Sequence, residues 1–245
     1  MAPFVHARGV RFHVVDLGAG RPGAGPRTAE PLVMLHGLFT GSAASWFFTV
    51  APALARTRPV RLPDMRGHGL SERTPTGYDT ATLAADLAAL TAGLPPFALA
   101  GHSYGAAVAV RFARAHPGRV TRLALIDPPF AGACGGVPAP ALLAREPGRR
   151  SGVRALLEQT SVLADLAAEP AVTAADLGAL EGVPVLAVAG EDSPFRAACD
   201  LVGQALPAAR CHVLPGGHDL HLTARHRLGP LLEAFLAEEP SPCLN

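Results

Sequence analysis

The chain has 245 residues, 49% apolar and 17% charged. That length fits one domain and buries a core large enough to fold without disulfides or metals. A net charge of +1, carried on arginines scattered along a chain without lysine, offers no basic face for nucleic acid or an anionic membrane. Charged and turn residues interrupt every apolar stretch before the about 18 residues that a membrane span needs. The opening residues 1–6 run straight into strand-like sequence with no basic and apolar leader pattern, so a soluble, cytoplasmic protein is expected.

In chain order, residues 4–8 and 10–17 predict an opening hairpin turned at Gly9, followed by a Gly/Pro/Ala-rich loop over 18–30. A buried strand is expected at 31–35, further strands at 59–62, 97–100, 122–126, 185–189 and 210–214, and helices at 46–56, 80–92, 104–116, 195–206 and 220–237. This alternation predicts a mostly parallel sheet covered by helices on both faces. Residues 128–182 break the pattern, and their short helical stretches, such as 152–168, suggest a small cap inserted after the sixth strand. Leu142, Leu143, Val153, Leu156, Leu157, Val162 and Leu163 would line that cap and favour an apolar acyl or alkyl group; each suits plain packing of the cap equally well. Cys134, Cys199, Cys211 and Cys243 lack the paired spacing of zinc or redox sites, so free thiols are expected.

The sharpest motif is Gly101-His102-Ser103-Tyr104-Gly105, set between the apolar run 97–100 and an Ala/Val-rich helical stretch. A strand, a tight turn and a helix with serine at the apex form a nucleophile elbow. The turn strains the serine backbone and brings strand and helix so close that only glycine fits two residues to either side. It also leaves the first amides of the helix facing the place where an oxyanion would form. A serine hydroxyl needs a neutral imidazole to take its proton. Among the ten histidines, His218 follows the last strand on the Pro215-Gly216-Gly217 turn, at the same sheet edge as Ser103. His36 and His68 fall in loops suited to ordering backbone, His102 should point its side chain away from the reacting atoms, and His116, His212, His221 and His226 suit structural or solvated roles. The run Trp46-Phe47-Phe48 suits an acyl pocket or the core.

Four motifs in order, His36-Gly37, Asp64-Met65-Arg66-Gly67-His68-Gly69, Gly101-His102-Ser103-Tyr104-Gly105 and Gly216-Gly217-His218, each at a strand end, resemble the α/β-hydrolase superfamily over nearly the whole chain. The resemblance implies an α/β fold of the α/β-hydrolase type, with a mostly parallel eight-stranded sheet, helices on both faces and a small cap. It also selects His218 as the base, and it favours the Leu38 amide with the Tyr104 amide as oxyanion donors. The usual acid of this superfamily follows strand seven in a Gly-x-x-Asp turn. Here Gly190-Glu191-Asp192-Ser193-Pro194 puts serine in that place and aspartate one residue early. A subset of the superfamily carries the acid after strand six, where Leu125-Ile126-Asp127-Pro128-Pro129 offers Asp127. We therefore favour Asp127 and keep Asp192 as the alternative, since either can reach the far nitrogen of the imidazole.

The function expected from this resemblance is cleavage of an ester or thioester of a small to medium apolar acyl group through an acyl-enzyme. No cofactor or metal is implied, and the partner is a small-molecule substrate. Relatives that open epoxides or remove halide carry a carboxylate at the elbow, which the serine disfavours. The alternatives are carbon–carbon bond hydrolysis or elimination by the same residues, and a non-catalytic ligand-binding scaffold. No pattern in the chain fixes an oligomeric state.

Overall fold

The computed structural model describes residues 4–18, 30–39, 41–130 and 150–238. Most of the 18–30 loop, Leu142, Leu143, Cys134 and Cys243 lie outside the described residues.

One eight-stranded sheet runs in the order β1-β2-β4-β3-β5-β6-β7-β8. Strands β1 (Phe4–Ala7) and β2 (Val10–Leu17) form the antiparallel opening hairpin. Arg8 belongs to the turn rather than the strand, at φ 51° beside Gly9 at φ 76°. β2 runs antiparallel to β4 (Val60–Pro63), and from there β3 (Leu32–Leu35), β5 (Phe97–His102), β6 (Val120–Ile126), β7 (Val185–Gly190) and β8 (Arg210–Leu214) are all parallel.

The alternation of side chains along each strand divides the core in two. Val33, Leu35, Phe97, Leu99, Leu123, Leu125, Val185 and Ala187 point to one face, under helices α3 (Thr80–Leu90) and α4 (Tyr104–Ala115). Their neighbours Leu32, Met34, Ala98, Ala100, Ala124, Ile126, Leu186 and Val188 point to the other, against Trp46, Leu228, Leu232 and Phe235. Both faces being covered is why β3, β5 and β7 are buried along their whole length.

Two long helices expected from the sequence are each divided. The 46–56 stretch holds α1 (Ala43–Phe47) and α2 (Ala51–Leu54), because Pro52 has no N–H to donate and its ring would clash with the preceding turn. The 220–237 stretch breaks at Ala224, φ −121°, which caps α9 (Leu220–Thr223) and precedes α10 (Arg225–Ala237). Between them in the chain lie α5 (Arg150–Gln159), α6 (Val162–Ala168), α7 (Ala174–Gly178) and α8 (Ala197–Ala205). In the inserted segment Leu156 and Val162 are buried against Tyr78, whereas Leu163 is exposed. Asp165 accepts the Tyr78 N–H at 2.9 Å and Glu169 accepts the Thr80 N–H at 2.8 Å, so these helices are tied to the start of α3. The parallel strands share a direction. The loops after β3, β5, β6, β7 and β8 therefore converge on a single edge of the sheet.

Candidate active site

Ser103 stands between β5 and α4 with φ 53° and ψ −128°, a backbone conformation that an L-residue adopts only when its surroundings force it. The two flanking glycines explain why no larger residue fits. A Cβ on Gly101 would meet the Gly105 carbonyl oxygen at 2.4 Å, and one on Gly105 would meet the His36 oxygen at 2.5 Å. Ser103 N–H is held by Ile126 O at 2.9 Å, which locks the turn to the end of β6.

The structure brings three of the expected site residues into one hydrogen-bonded line. Ser103 Oγ lies 2.9 Å from His218 Nε2, and His218 Nδ1 lies 2.5 Å from Asp127 Oδ2. Asp127 is fully buried at the end of β6, at φ 48°, with its N–H bonded to Val188 O at 2.7 Å. Its carboxylate also accepts the Gly190 N–H at 2.8 Å and the Ser193 hydroxyl. Asp192 is exposed, and its N–H bonds to Gly216 O at 3.0 Å. With Asp127 taking the line through Nδ1, His218 presents Nε2 to the serine as a proton acceptor.

The loop after β3 is tied down by two buried histidines. His36 Nδ1–H donates to Gly37 O at 2.7 Å while its Nε2 accepts the Met65 N–H at 2.9 Å. His68 Nδ1–H donates to Arg66 O at 2.8 Å and its Nε2 accepts the Phe39 N–H at 3.0 Å. Phe39 sits at φ 65°. The Phe39 amide is thus committed, and Leu38 is the residue before it on the turn. Tyr104 opens α4, where an amide has no carbonyl four residues back to bond. The Tyr104 hydroxyl points elsewhere, donating to Tyr78 O at 3.1 Å and lying 3.2 Å from Glu169 Oε2, and burial followed by Glu169 pushes its pKa up.

Residues 30–171 match the family model described as alpha/beta hydrolase fold. The chain belongs to that family. This α/β-hydrolase is 37% identical over 123 residues to a soluble epoxide hydrolase of Corynebacterium sp. (strain C12), a match that covers 49% of the chain and 38% of the relative. It is 37% identical over 128 residues to the 2-hydroxy-6-oxo-2,4-heptadienoate hydrolase of Pseudomonas putida, covering 50% of the chain and 42% of that protein. The matches thus span about two-fifths of these curated relatives. Among solved structures, an esterase from Exiguobacterium antarcticum superposes with a TM-score of 0.75 at 22% identity, over 97% of this chain and all of that one, a likeness of fold.

The structure corrects one expectation about the hydrolase's histidines. His102 does not turn away from the site: its ring centroid is 4.7 Å from that of His218, and its Nε2–H donates to His218 O at 3.0 Å. The cause is the tight approach of the loop after β8, which needs a donor for the His218 carbonyl. Trp46 is core, fully buried beside His102 and His221, whereas Phe48 is exposed. Asp64, which the sequence offers only as the head of the 64–69 motif, clamps the site loops. It takes the Ala43 N–H at 2.5 Å and the Leu70 N–H at 2.9 Å, and Gly69 leaves no room for a Cβ beside its carboxylate. A buried acid inside a Gly-rich motif was the available signal.

Among the described residues, His102, Asp219 and His221 each place one ligand atom within 4.8 Å of the others. A cation there would have to share His102 with the bond its Nε2 makes to His218 O. Burial pushes the Cys199 thiol up to about 12, so it is a packing group rather than a nucleophile.

Burial is the first cause that depresses the pKa of His36, His102, His68 and His221, to about 3 for His68 and about 4 for His221. In the unfolded chain these groups titrate near the ordinary value of 6.5. The unfolded state therefore binds more protons below that pH, and the stability these residues contribute is complete above it. As pH falls from 6.5 towards the folded values that stability is lost, at about 2 kcal/mol by pH 5 for each of His68 and His221, and in the same direction for His36 and His102. Urea unfolding at pH 7.5 and pH 5 should show a fall of several kcal/mol; equal stability at the two values would contradict the buried, neutral assignment.

Proposed function

We propose that this chain is a serine hydrolase that cleaves carboxylic esters or thioesters of small to medium apolar acyl groups through an acyl-enzyme. The observation that carries the reading is the unbroken line from Ser103 Oγ through His218 to Asp127. Ser103 Oγ attacks the acyl carbonyl carbon while His218 Nε2 takes its proton. Asp127 accepts the Nδ1–H and stabilises the imidazolium. The backbone amides of Leu38 and Tyr104 donate to the oxyanion of the tetrahedral intermediate. Collapse breaks the bond to the alcohol or thiol, which leaves with the proton from His218 Nε2. Water, deprotonated by His218, then attacks the acyl carbon and releases the acid with Ser103 restored.

In this reading the described helices of the segment, residues 150–178, act as a cap, and the reaction needs no cofactor. A serine at the elbow disfavours epoxide opening despite the relationship to an epoxide hydrolase, because that chemistry on this fold uses an elbow carboxylate. The relationship to a 2-hydroxy-6-oxo-2,4-heptadienoate hydrolase favours one second reading, carbon–carbon bond hydrolysis by the same three residues.

The test is turnover of p-nitrophenyl acyl esters of increasing chain length, beside a vinylogous diketone whose products are analysed. Ester turnover with a maximum at short or medium chains is expected. Carbon–carbon cleavage of the diketone without ester turnover would transfer the assignment to the second reading.

A further inference from the structure

The carboxylate of Asp127 is completely buried, so each of its oxygens depends on donors from the protein. Gly190 N–H serves Oδ1 at 2.8 Å. Oδ2 carries two partners, His218 Nδ1 at 2.5 Å and the hydroxyl of Ser193. Ser193 is itself buried, at 8% exposure, and its turn is rigidly built. Ser193 N–H bonds to Gly190 O at 3.1 Å, and the neighbouring Asp192 N–H bonds to Gly216 O in the loop that delivers His218. The Ser193 oxygen accepts the Phe195 N–H at 3.1 Å. A hydroxyl has one proton, and the carboxylate can only accept, so that proton is committed to Asp127 Oδ2.

We propose that Ser193 is a positioning residue for the hydrolytic step, holding the Asp127 carboxylate in the plane of the His218 ring. This rests on the reading of Ser103, His218 and Asp127 as the catalytic line. Two oxygens on one carboxyl group interchange by rotation about the Cβ–Cγ bond. The Gly190 amide fixes one of them and the Ser193 hydroxyl fixes the other. Without the hydroxyl, Oδ2 keeps His218 as its one donor, and the carboxyl group is held by the Gly190 amide alone against rotation about Cβ–Cγ. His218 then spends less time with Nε2 in line with Ser103 Oγ. Substrate makes no contact with Ser193 in this arrangement, so the loss falls on kcat and leaves KM alone.

The experiment compares Ser193→Ala, Ser193→Thr and Ser193→Val in the full chain, with rates expressed per site titrated by a fluorophosphonate. Alanine is expected to lower kcat by about 10-fold to 100-fold with KM within about twofold. Threonine keeps the hydroxyl and should restore kcat to within about threefold of wild type, whereas valine, with the same shape and no hydroxyl, should match alanine. The Thr/Val pair reads the hydroxyl alone even if the alanine variant folds poorly.

A second readout needs no substrate: the low-field ¹H NMR resonance of the His218 Nδ1 proton, assigned by its loss in Asp127→Asn. It should move or broaden in the alanine and valine variants and stay in place with threonine. Alanine and valine variants that keep kcat within twofold of wild type, or a resonance unmoved in both, would overturn the proposal. A wild type inactive on every ester, with the resonance still responding to Ser193, would remove the proposed reaction and leave the positioning contact standing.

Discussion

Replacing Ser103 with alanine is expected to lower kcat for ester hydrolysis by about 10⁴-fold to 10⁶-fold, with residual rate from oxyanion stabilisation and substrate binding. The serine oxygen is the only atom removed, and it is the atom 2.9 Å from His218 Nε2. Alanine tolerates φ 53° no worse than serine does, and the glycines at 101 and 105 that permit the turn are untouched. The melting temperature should therefore stay close to that of wild type, which separates loss of the nucleophile from loss of the fold. Turnover in the alanine variant above about 1% of wild type would show that another group carries the reaction.

The second large effect concerns the acid. Asp127→Asn should reduce kcat by about 10³-fold to 10⁴-fold. Asparagine keeps the shape, but its amide N–H₂ takes either the Oδ2 place, where it faces the imidazole and the Ser193 hydroxyl and favours the wrong tautomer, or the Oδ1 place, where it leaves the Gly190 N–H unpaired. Asp192→Asn should leave kcat within about twofold of wild type, since Asp192 is exposed and a surface substitution of this kind has small effects. Steady-state rates of the two variants measured side by side decide the matter. The reverse ranking would move the acid to Asp192 and require the loop after β7 to rearrange.

Much of this fold was legible because parallel strands buried on both faces read as short apolar runs between helical stretches, five of them here, while the edge strand β8 is largely exposed. The helix ends were less legible. Pro52 divides one predicted helix and Ala224 another, the first by a missing N–H and the second by backbone geometry that no residue preference announces. At the site, the elbow could be read from steric necessity alone, because glycine at 101 and 105 is demanded by carbonyl oxygens within 2.5 Å of any Cβ. The choice between Asp127 and Asp192 could not, since both stand at strand ends and the difference lies in the direction of a side chain. The serine at 193 was visible only as a departure from a Gly-x-x-Asp turn. In the structure its hydroxyl lies against Asp127, which relates the two departures physically. The position of His102 beside His218 was missed for a similar reason, because it depends on a loop more than a hundred residues away in the chain.

The most direct test of the central claim is covalent trapping of the nucleophile. A fluorophosphonate with a short alkyl chain transfers its phosphonyl group to an activated serine with loss of fluoride, and the adduct does not hydrolyse. Intact mass and peptide mapping should find one phosphonyl group per chain, on Ser103, with hydrolysis abolished in proportion and no adduct in Ser103→Ala. Folded wild-type protein that stays unmodified at Ser103, or that carries the adduct on another residue, would contradict the assignment of Ser103 as an activated nucleophile.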